Sequence, residues 1–169
     1  EDAAKASGAH IVHCSGFDSI PSDMGVYFTQ REAKKSLGEY CNNISMRVKA
    51  AKGGASGGTI ASILNITEEV MKDPALRKDL INPYLVCPEG HNYKVRQFDT
   101  KKPTFDKNFN GWTAPFVMAG INTKIVRRSH ALINFKYGSD FSYDEATLSG
   151  KGVLGQVKGY LSLIPIFLA

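Results

Sequence analysis

Residues 16–23, with the sequence GFDSIPSD, combine a permissive backbone with polar side chains just before a predicted helix. Gly16 would let a ligand approach the backbone closely, and the free N–H groups of a helix start can receive an anion or a carboxamide. The carboxylate of Asp18 could hold a ribose or a substrate amine through charge-assisted hydrogen bonds. A tight turn, with Ser22 or Asp23 capping the helix, needs the same residue types. Spacing alone leaves both interpretations open.

A second candidate is the glycine cluster of residues 53–59, with the sequence GGASGGT, between a predicted strand and a predicted helix. Consecutive glycines can arrange their N–H groups as an anion-binding nest, and the helix dipole behind them favours a negative group. No Lys-Ser/Thr pair follows, so this is not a P-loop, and the G-x-G-x-x-G pattern is absent from it. The alternative is a sharp strand-to-helix connection that needs positive φ angles.

Residues 112–129 carry a third candidate group. Asn122 lies on a predicted helix that is otherwise apolar or small around it, so its amide could point into a cleft. Arg127 or Arg128 could bind a carboxylate or phosphate through two parallel hydrogen bonds. The alternative is a core helix whose last turn is polar.

Histidine and cysteine spacing does not favour a metal site. His10 and His13 are three residues apart on a predicted strand edge, so their side chains point to different faces. The three cysteines are far apart and odd in number, which favours free thiols in a reducing compartment over disulfides.

The formal net charge of +5 and the sequence pI of about 9.1 allow an anionic partner such as a nucleotide, an acyl carrier or a membrane surface. The basic residues come in short pairs, however, which also fits a mildly basic solvated surface. No zinc-finger spacing and no aromatic ribonucleoprotein signature occurs, so nucleic-acid binding is not expected.

The elements that must position these residues follow from hydrophobic periodicity. In the first half of the chain we predict a buried parallel strand at residues 11–14 and a helix from about Ser22 to Lys35 that ends at Gly38. A strand with one buried face follows at residues 43–51, because Ile44, Met46 and Val48 alternate with polar residues. A helix then runs to about Lys72, and a short one covers residues 75–80.

The second half is predicted to begin with a loop-rich stretch, residues 82–111, containing one strand within residues 93–98. Pro115 suits the first turn of a helix that extends to about Arg128. Residues 134–137 and 141–144 surround Gly138 and are predicted to form a β-hairpin.

Both ends of the sequence carry a prediction. Residues 1–8 resemble the last turns of a helix closed by Gly8, so we expect the chain to be a piece of a longer protein. Residues 159–169 are strongly apolar but about half the length that spans a bilayer. They could form a buried helix, a membrane-surface contact, or the beginning of a helix that is cut short.

Several of these segments, in this order, resemble the saccharopine dehydrogenase-like oxidoreductases, including their trans-acting enoyl reductase branch. The similarity covers most of residues 8–148. The matching segments are residues 13–25 (HCSGFDSIPSDMG), 53–59 (GGASGGT), 112–119 (WTAPFVMA), 122–129 (NTKIVRRS), 137–138 (YG) and 141–143 (FSY).

The resemblance implies an α/β protein in which a Rossmann-type domain is followed by an α+β domain with a mixed sheet. Residues 1–25 would be the last strand and crossover of the truncated Rossmann-type domain. Residues 26–150 would form an α+β domain for substrate binding or dimerisation, and residues 151–169 an apolar C-terminal helix or tail. The glycine-rich phosphate fingerprint of such proteins is absent from this sequence and would precede residue 1.

The implied cofactor is NAD or NADP, bound mainly by the part that this sequence lacks. By resemblance, Gly16, Asp18, Pro21 and Ser22 are predicted to lie near the cofactor and substrate. Asn122 and Arg127 are hypotheses for substrate binding. No catalytic residue is carried over, and no metal site is expected.

The sequence therefore predicts an NAD(P)-dependent oxidoreductase in which the cofactor supplies hydride and the protein supplies orientation and electrostatics. The substrate would be an amino-acid-derived imine or an acyl chain, and the apolar tail favours the acyl chain. The piece alone is expected to be inactive and to bind NADPH weakly. The expected location is cytoplasmic, with the tail a candidate for membrane or lipid contact, and the protein could form a homodimer. The rival is a non-catalytic interaction or membrane-associated protein that retains a reductase fold.

Overall fold

The structure is a computed structural model that describes residues 2–12, 14–16, 19–50 and 57–163, with no side chain described at positions 59, 60 and 63. The described residues form six helices and four strands. The helices are α1 (Asp2–Ser7), α2 (Ile20–Leu37), α3 (Gly57–Lys72), α4 (Pro74–Ile81), α5 (Ala119–Leu132) and α6 (Gly152–Leu161). The strands are β1 (Asn43–Val48), β2 (Thr104–Asp106), β3 (Gly111–Pro115) and β4 (Ser142–Gly150).

The strands form one mixed sheet in the order β1-β4-β3-β2. β1 runs parallel to β4, whereas β3 is antiparallel to both β4 and β2. α5 packs against β4, α2 packs against α5, and α6 packs against β3 and β4. This arrangement confirms the predicted α/β class with an α+β organisation. The assignment of residues 1–25 to a dinucleotide-binding domain stays a prediction.

The alternation in β1 sorts its side chains as expected. Ile44 and Met46 pack against the core, whose buried members are Val26, Val126, Tyr137, Phe141 and Tyr143. Ser45, between them, faces the opposite side and donates to Asp144 Oδ1 at 2.7 Å. One face of the sheet therefore belongs to the core with α2 and α5, and the other is polar.

Helix α2 begins at Ile20, two residues before the predicted cap at Ser22. Pro21 stands in its first turn, where a missing N–H costs nothing. Ser19 occupies the N-cap position without a side-chain cap bond, because its hydroxyl donates to another helix instead. Gly38 ends the helix with φ 81°, and its N–H donates to Lys34 O at 3.2 Å, as predicted for a C-terminal glycine.

The other predicted helices of the first half are confirmed with small shifts. α1 ends before Gly8, which has φ 71°. α3 ends at Lys72 and begins at Gly57, so the last two glycines of the cluster lie inside its first turn, while residues 53–56 lie outside the described residues. Asp73 caps α4 by accepting the N–H of Ala75 at 2.8 Å.

The predicted strand at residues 11–14 is wrong for its described residues. Ile11 and Val12 are irregular and 62% and 73% exposed. A buried parallel strand needs a neighbouring strand to satisfy its backbone, and no described strand lies beside this segment.

The predicted strand within residues 93–98 is also wrong, although the segment is firmly held. The Tyr93 hydroxyl donates to Phe141 O, and Gln97 Oε1 accepts the N–H of Tyr143 at 3.2 Å. The backbone N–H of Tyr143, at the start of β4, is thus bonded to the side chain of Gln97 and not to the backbone of residues 93–98. The alternating pattern of the segment reflects side-chain burial without strand pairing.

Pro115 is the last residue of β3, so the prediction that it begins a helix is wrong; α5 begins at Ala119. The pairing of β2 with β3 ends at Thr113, so Pro115 has a neighbouring strand only on the β4 side. A proline, which lacks an N–H, is tolerated at such an edge position. The β2–β3 hairpin was not predicted, because β2 is only three residues long.

The predicted hairpin at residues 134–137 and 141–144 is wrong. Asn134 and Phe135 have φ 53° and 56°, which places them in the left-handed region and makes the segment a turn after α5. Ser142 instead begins β4, which pairs with β1 and β3.

Helix α6 occupies part of the segment predicted as an apolar C-terminal helix or tail, and residues 164–169 lie outside the described residues. None of the helices seen in the described residues has the length and apolar character needed to cross a bilayer.

Candidate functional site

Asn122, on α5, is the centre of a buried polar cluster between α2, α5 and β4. Its Nδ2 donates to Glu145 Oε2 at 3.1 Å, and its Oδ1 accepts the Ser19 hydroxyl at 3.0 Å. Only 1% of Asn122 is exposed. The amide was expected to point into a cleft, but it points into the packed interior with its oxygen and nitrogen both bonded.

Glu145 extends the cluster along β4. Its other oxygen, Oε1, accepts the hydroxyl of Tyr143 at 2.7 Å, and Ser22 also bonds to that tyrosine. Burial, followed by the neighbouring Glu145 carboxylate, raises the pKa of Tyr143, so the phenol stays protonated and donates. Within the described residues no Lys, Arg or His nitrogen pairs with Glu145, and neutral donors alone hold it.

Arg127, on α5, also bonds to β4. Its Nη2 donates to Tyr143 O at 3.2 Å and to Asp99 Oδ1 at 3.3 Å. The side chain is fully buried, and its Nε has no partner among the described residues. The carboxylate predicted to bind Arg127 is thus provided within the chain by Asp99.

A cleft of about 890 Å³ lies beside this cluster, where the start of α2 faces α5. Its apolar lining is Ala4, Ile11, Val12, Ile20, Leu85, Val86, Ile125 and Leu132. Its polar and thiol lining is Cys14, Ser15, Ser19, Asp23, Cys87, Glu89, Arg128 and Ser129. The volume lies in the upper part of the range for small-molecule sites, about 300–1,000 Å³.

Asp23 and Ser129 form a hydrogen-bonded pair in this cleft. The Ser129 hydroxyl donates to Asp23 Oδ2 at 2.9 Å. Burial raises the pKa of Asp23, and the bond from Ser129 opposes this only in part. Burial thus favours the protonated form of this carboxyl, and a carboxyl perturbed in this way in a cleft is a candidate for proton transfer.

Ser19 connects the cleft to the buried cluster. It lines the cleft, and its hydroxyl reaches Asn122. Ser19 in the cleft wall is therefore linked to Glu145 through two hydrogen bonds, by way of Asn122.

The residues predicted to neighbour a cofactor lie in different surroundings. Gly16 is exposed, and a Cβ added there would meet nothing within 4 Å, which leaves room for a ligand against the backbone. Pro21 is exposed in the first turn of α2. Ser22 is buried and bonded to Tyr143, and Asp18 lies outside the described residues. A cofactor contact for these residues stays a prediction.

Asp23 was predicted only as one of two possible helix caps, with Ser22 as the other, and Ser129, Tyr143 and Glu145 were not selected as site residues. Asp23 and Ser129 are separated by 106 positions, so no local spacing links them. The usable signal was the pair Asp144 and Glu145 in one strand, because alternation turns one of two adjacent acidic residues toward the core. Within the described residues, no group of three or more His, Cys, Asp or Glu could hold a metal ion.

The chain is similar in sequence to several curated proteins. No family model matches the chain, and no solved structure matches it. A Mycobacterium tuberculosis protein named "Putative trans-acting enoyl reductase" is 38% identical over 160 residues, which is 91% of this chain and 38% of that protein. The trans-acting enoyl reductase of Mycobacterium bovis is 34% identical over 161 residues, 91% of this chain and 38% of the relative. That of Mycobacterium leprae is 32% identical over 159 residues, 88% and 37% respectively.

The chain thus spans somewhat over a third of the length of these curated relatives. Because the match covers nine-tenths of this chain, it includes α2, α5 and β4, whose residues form the buried polar cluster. The fold and the cleft described above therefore occur in a chain that is similar, over most of its length, to proteins named trans-acting enoyl reductase.

Proposed function

We propose that this chain is part of an enoyl reductase-like oxidoreductase, and that the cleft between α2 and α5 receives its acyl substrate. The similarity to proteins named trans-acting enoyl reductase supports the reaction class. The cleft itself, lined by apolar residues as well as by the hydrogen-bonded pair Asp23 and Ser129, is the observation that carries the substrate assignment.

The proposed reaction needs a hydride donor and a proton donor at the cleft. Reduction of an enoyl thioester adds a hydride to one carbon of the double bond and a proton to the other. A reduced NAD or NADP, when bound, supplies the hydride. In this proposal Asp23 donates the proton, because burial raises its pKa and so favours the protonated carboxyl, and the Ser129 hydroxyl keeps the carboxyl oriented. In this proposal Gly16 gives the nicotinamide room, and the remaining cofactor contacts come from residues beyond this chain.

The acyl site is tested by calorimetric titration of the chain with a long-chain trans-2-enoyl thioester of pantetheine. We expect saturable binding that Ile125→Asp weakens at least tenfold, because a charge would then stand in the apolar wall. Val157→Asp, on the exposed face of α6, is the matched control and should leave the affinity unchanged. Equal loss in both variants, or no binding at all, contradicts the assignment.

The cofactor assignment has its own titration. With most cofactor contacts outside residues 1–169, NADPH should bind this chain weakly or not at all, and the chain alone should be inactive. Micromolar binding of NADPH to residues 1–169 would contradict that part of the proposal.

Turnover is tested in a chimera in which residues 1–169 replace the matched segment of the Mycobacterium tuberculosis relative. The chimera should oxidise NADPH while forming the saturated thioester, and Asp23→Asn should lower turnover more than NADPH binding. A chimera that is folded by circular dichroism and binds NADPH, yet leaves enoyl thioesters unchanged, contradicts the reductase proposal.

A second candidate function rests on α6. This helix turns Gly155 and Gly159 inward, and its outer face is apolar. The exposed apolar residues are Val153, Leu154, Val157, Tyr160 and Leu161. Such a face, with Lys151 and Lys158 beside it, suits a helix that lies on a membrane surface.

The membrane candidate is tested by co-sedimentation with phosphatidylcholine vesicles, with and without anionic lipid. The intact chain should sediment with vesicles, and Leu154→Asp together with Leu161→Asp should release it. Removal of residues 159–169 should reduce sedimentation as well. Sedimentation that persists in both variants excludes α6 and the tail as the contact.

A further inference from the structure

A separate pocket of about 310 Å³ lies between the last turns of α2 and the turn that follows α5. Tyr27, Tyr40 and Tyr137 supply its aromatic walls, and Ile133 closes one side. None of these residues lines the cleft that holds Asp23 and Ser129. Neither the proposed reaction nor the relatives' names assign a role to this pocket.

The charge of this pocket has a single sign. Arg31, Lys34, Lys35 and Lys136 line it, and no carboxylate does. Arg31 contacts Glu32 at 3.2 Å, and Lys34 donates to Gly38 O at the end of α2 at 2.6 Å. Lys35 and Lys136 have neither an ion-pair partner nor a hydrogen-bond partner among the described residues. Two ammonium groups are therefore free to receive an anion.

The aromatic walls are held in place from behind. Tyr40 and Tyr137 meet edge to face with ring centroids 5.5 Å apart. Tyr137 in turn stacks on the buried His130, with centroids 5.1 Å apart and planes 10° from parallel. Burial raises the pKa of Tyr137, so its hydroxyl is protonated and can donate. Fixed rings beside free cations offer stacking and phosphate contacts to the same ligand.

We propose that this pocket binds a phosphate monoester carried on a planar ring, of the chemical class of a nucleoside monophosphate. Lys35 and Lys136 receive the phosphate, and the ring lies against Tyr40 and Tyr137. The volume supports a ligand larger than phosphate alone, because it reaches the lower end of the range for small-molecule sites, about 300 Å³.

The test titrates the chain with AMP, adenosine and inorganic phosphate by calorimetry. AMP should bind more tightly than either fragment. The double variant Lys35→Gln with Lys136→Gln should weaken AMP at least tenfold and leave adenosine nearly unchanged. Tyr40→Leu should weaken both AMP and adenosine. The matched control is Lys78→Gln with Lys94→Gln, two exposed lysines away from the pocket, and it should bind AMP as the unmodified chain does.

Several outcomes overturn the proposal. The first is no binding of AMP. The second is phosphate binding as tight as AMP, with no effect of Tyr40→Leu, which would show a simple anion site. The third is an equal loss in the control double variant, which would show an effect of net charge. Thermal melts of each variant confirm folding, and Ile125→Asp should leave AMP affinity unchanged, which separates this proposal from that of the acyl cleft.

Discussion

Asn122 Nδ2 and Glu145 Oε2 lie 3.1 Å apart across the contact between α5 and β4, and both residues are 1% exposed. The bond gives a buried carboxylate one of its two neutral donors. Because the Asn122 oxygen also accepts from Ser19, this single amide joins α5 both to β4 and to the N-cap of α2. Loss of the amide therefore leaves a carboxylate oxygen and a hydroxyl without partners.

Asn122→Leu should lower the free energy of unfolding by about 1–3 kcal/mol, because an unsatisfied buried polar group costs that much. Urea denaturation measures the change. Asn108, which is exposed, is the matched control, and Asn108→Leu should stay within about 0.5 kcal/mol. The double variant Asn122→Leu with Glu145→Leu should recover part of the loss. An Asn122→Leu protein as stable as the unmodified chain would show that the cluster is not stabilising.

Two glycines in helices predict substitutions of opposite sign. A Cβ on Gly155 would lie 2.3 Å from the backbone carbon and oxygen of Gly150, so α6 must move. Gly155→Ala should destabilise the protein by about 1–3 kcal/mol, as overpacking does. A Cβ on Gly25, in α2, meets nothing within 4 Å, and Gly25→Ala should stabilise by about 0.5–1 kcal/mol.

The two variants are compared by thermal and urea unfolding. Equal changes of the same sign in both would show that helix propensity, and not the close approach of Gly150 and Gly155, governs these positions.

His130 predicts a stability that depends on pH. Burial among aromatic rings lowers the pKa of His130 below 6.5, with the bond to Gly138 O opposing in part. The unfolded chain then binds a proton that the folded chain does not. Stability is therefore complete above pH 6.5 and falls as the pH drops through the folded pKa.

His130→Phe removes this titration, so its unfolding free energy should fall less steeply over the same acidic range. Urea unfolding at a series of pH values gives both slopes. The variant also loses the bond to Gly138 O, which should lower the unfolding free energy by the same amount at every pH. A constant loss of this kind changes the level of the pH curve and not its slope. Identical slopes in the two proteins would contradict the assignment.

Arg47 joins two carboxylates on the polar face of the sheet. Its Nε lies 2.8 Å from Asp106 Oδ2, and its Nη1 lies 2.6 Å from Asp144 Oδ2. Burial works to raise the pKa of Asp106, but the bonds from Arg47 and from the N–H groups of Phe109 and Asn108 outweigh it, and the pKa is lowered.

Arg47→Met should cost roughly 3 kcal/mol, the low end for a broken buried pair, because the carboxylates keep 12% and 16% exposure. The folded Asp106 pKa is lowered, so this stability is present above pH 3.8 and is lost as the pH falls through the folded pKa. The variant's deficit should thus shrink in acid. Lys49→Met, exposed at the end of β1, is the control; a deficit independent of pH would contradict this account.

Local patterns predicted much of the fold. Alternation placed Ile44 and Met46 on the core face, and Gly38 ended α2, because both signals act within a few residues. The strand at residues 11–14 was wrong because apolar runs do not reveal whether a neighbouring strand exists. The turn at Asn134 and Phe135 was missed because both residues adopt positive φ without being glycine.

The candidate site was less predictable. Asn122 and Arg127 were selected from their place on an apolar helix, yet their partners Glu145 and Tyr143 are on a strand that was expected to be a hairpin. Asp23 and Ser129 meet only because α2 packs against α5. Hydrogen bonds between residues a hundred positions apart depend on the whole fold, which no single segment encodes.

The parallel pairing of β1 with β4 also governs when the protein can fold. Asn43 lies opposite Ser142, so the first strand of the sheet waits for a partner 99 positions later. β4 lies between β1 and β3 and pairs with both. During synthesis on the ribosome, β1 therefore has no strand to pair with until β4 has emerged, and its backbone stays unpaired until then. Pairing between strands so far apart in sequence slows folding, and an unpaired strand is exposed to aggregation and to chaperone binding.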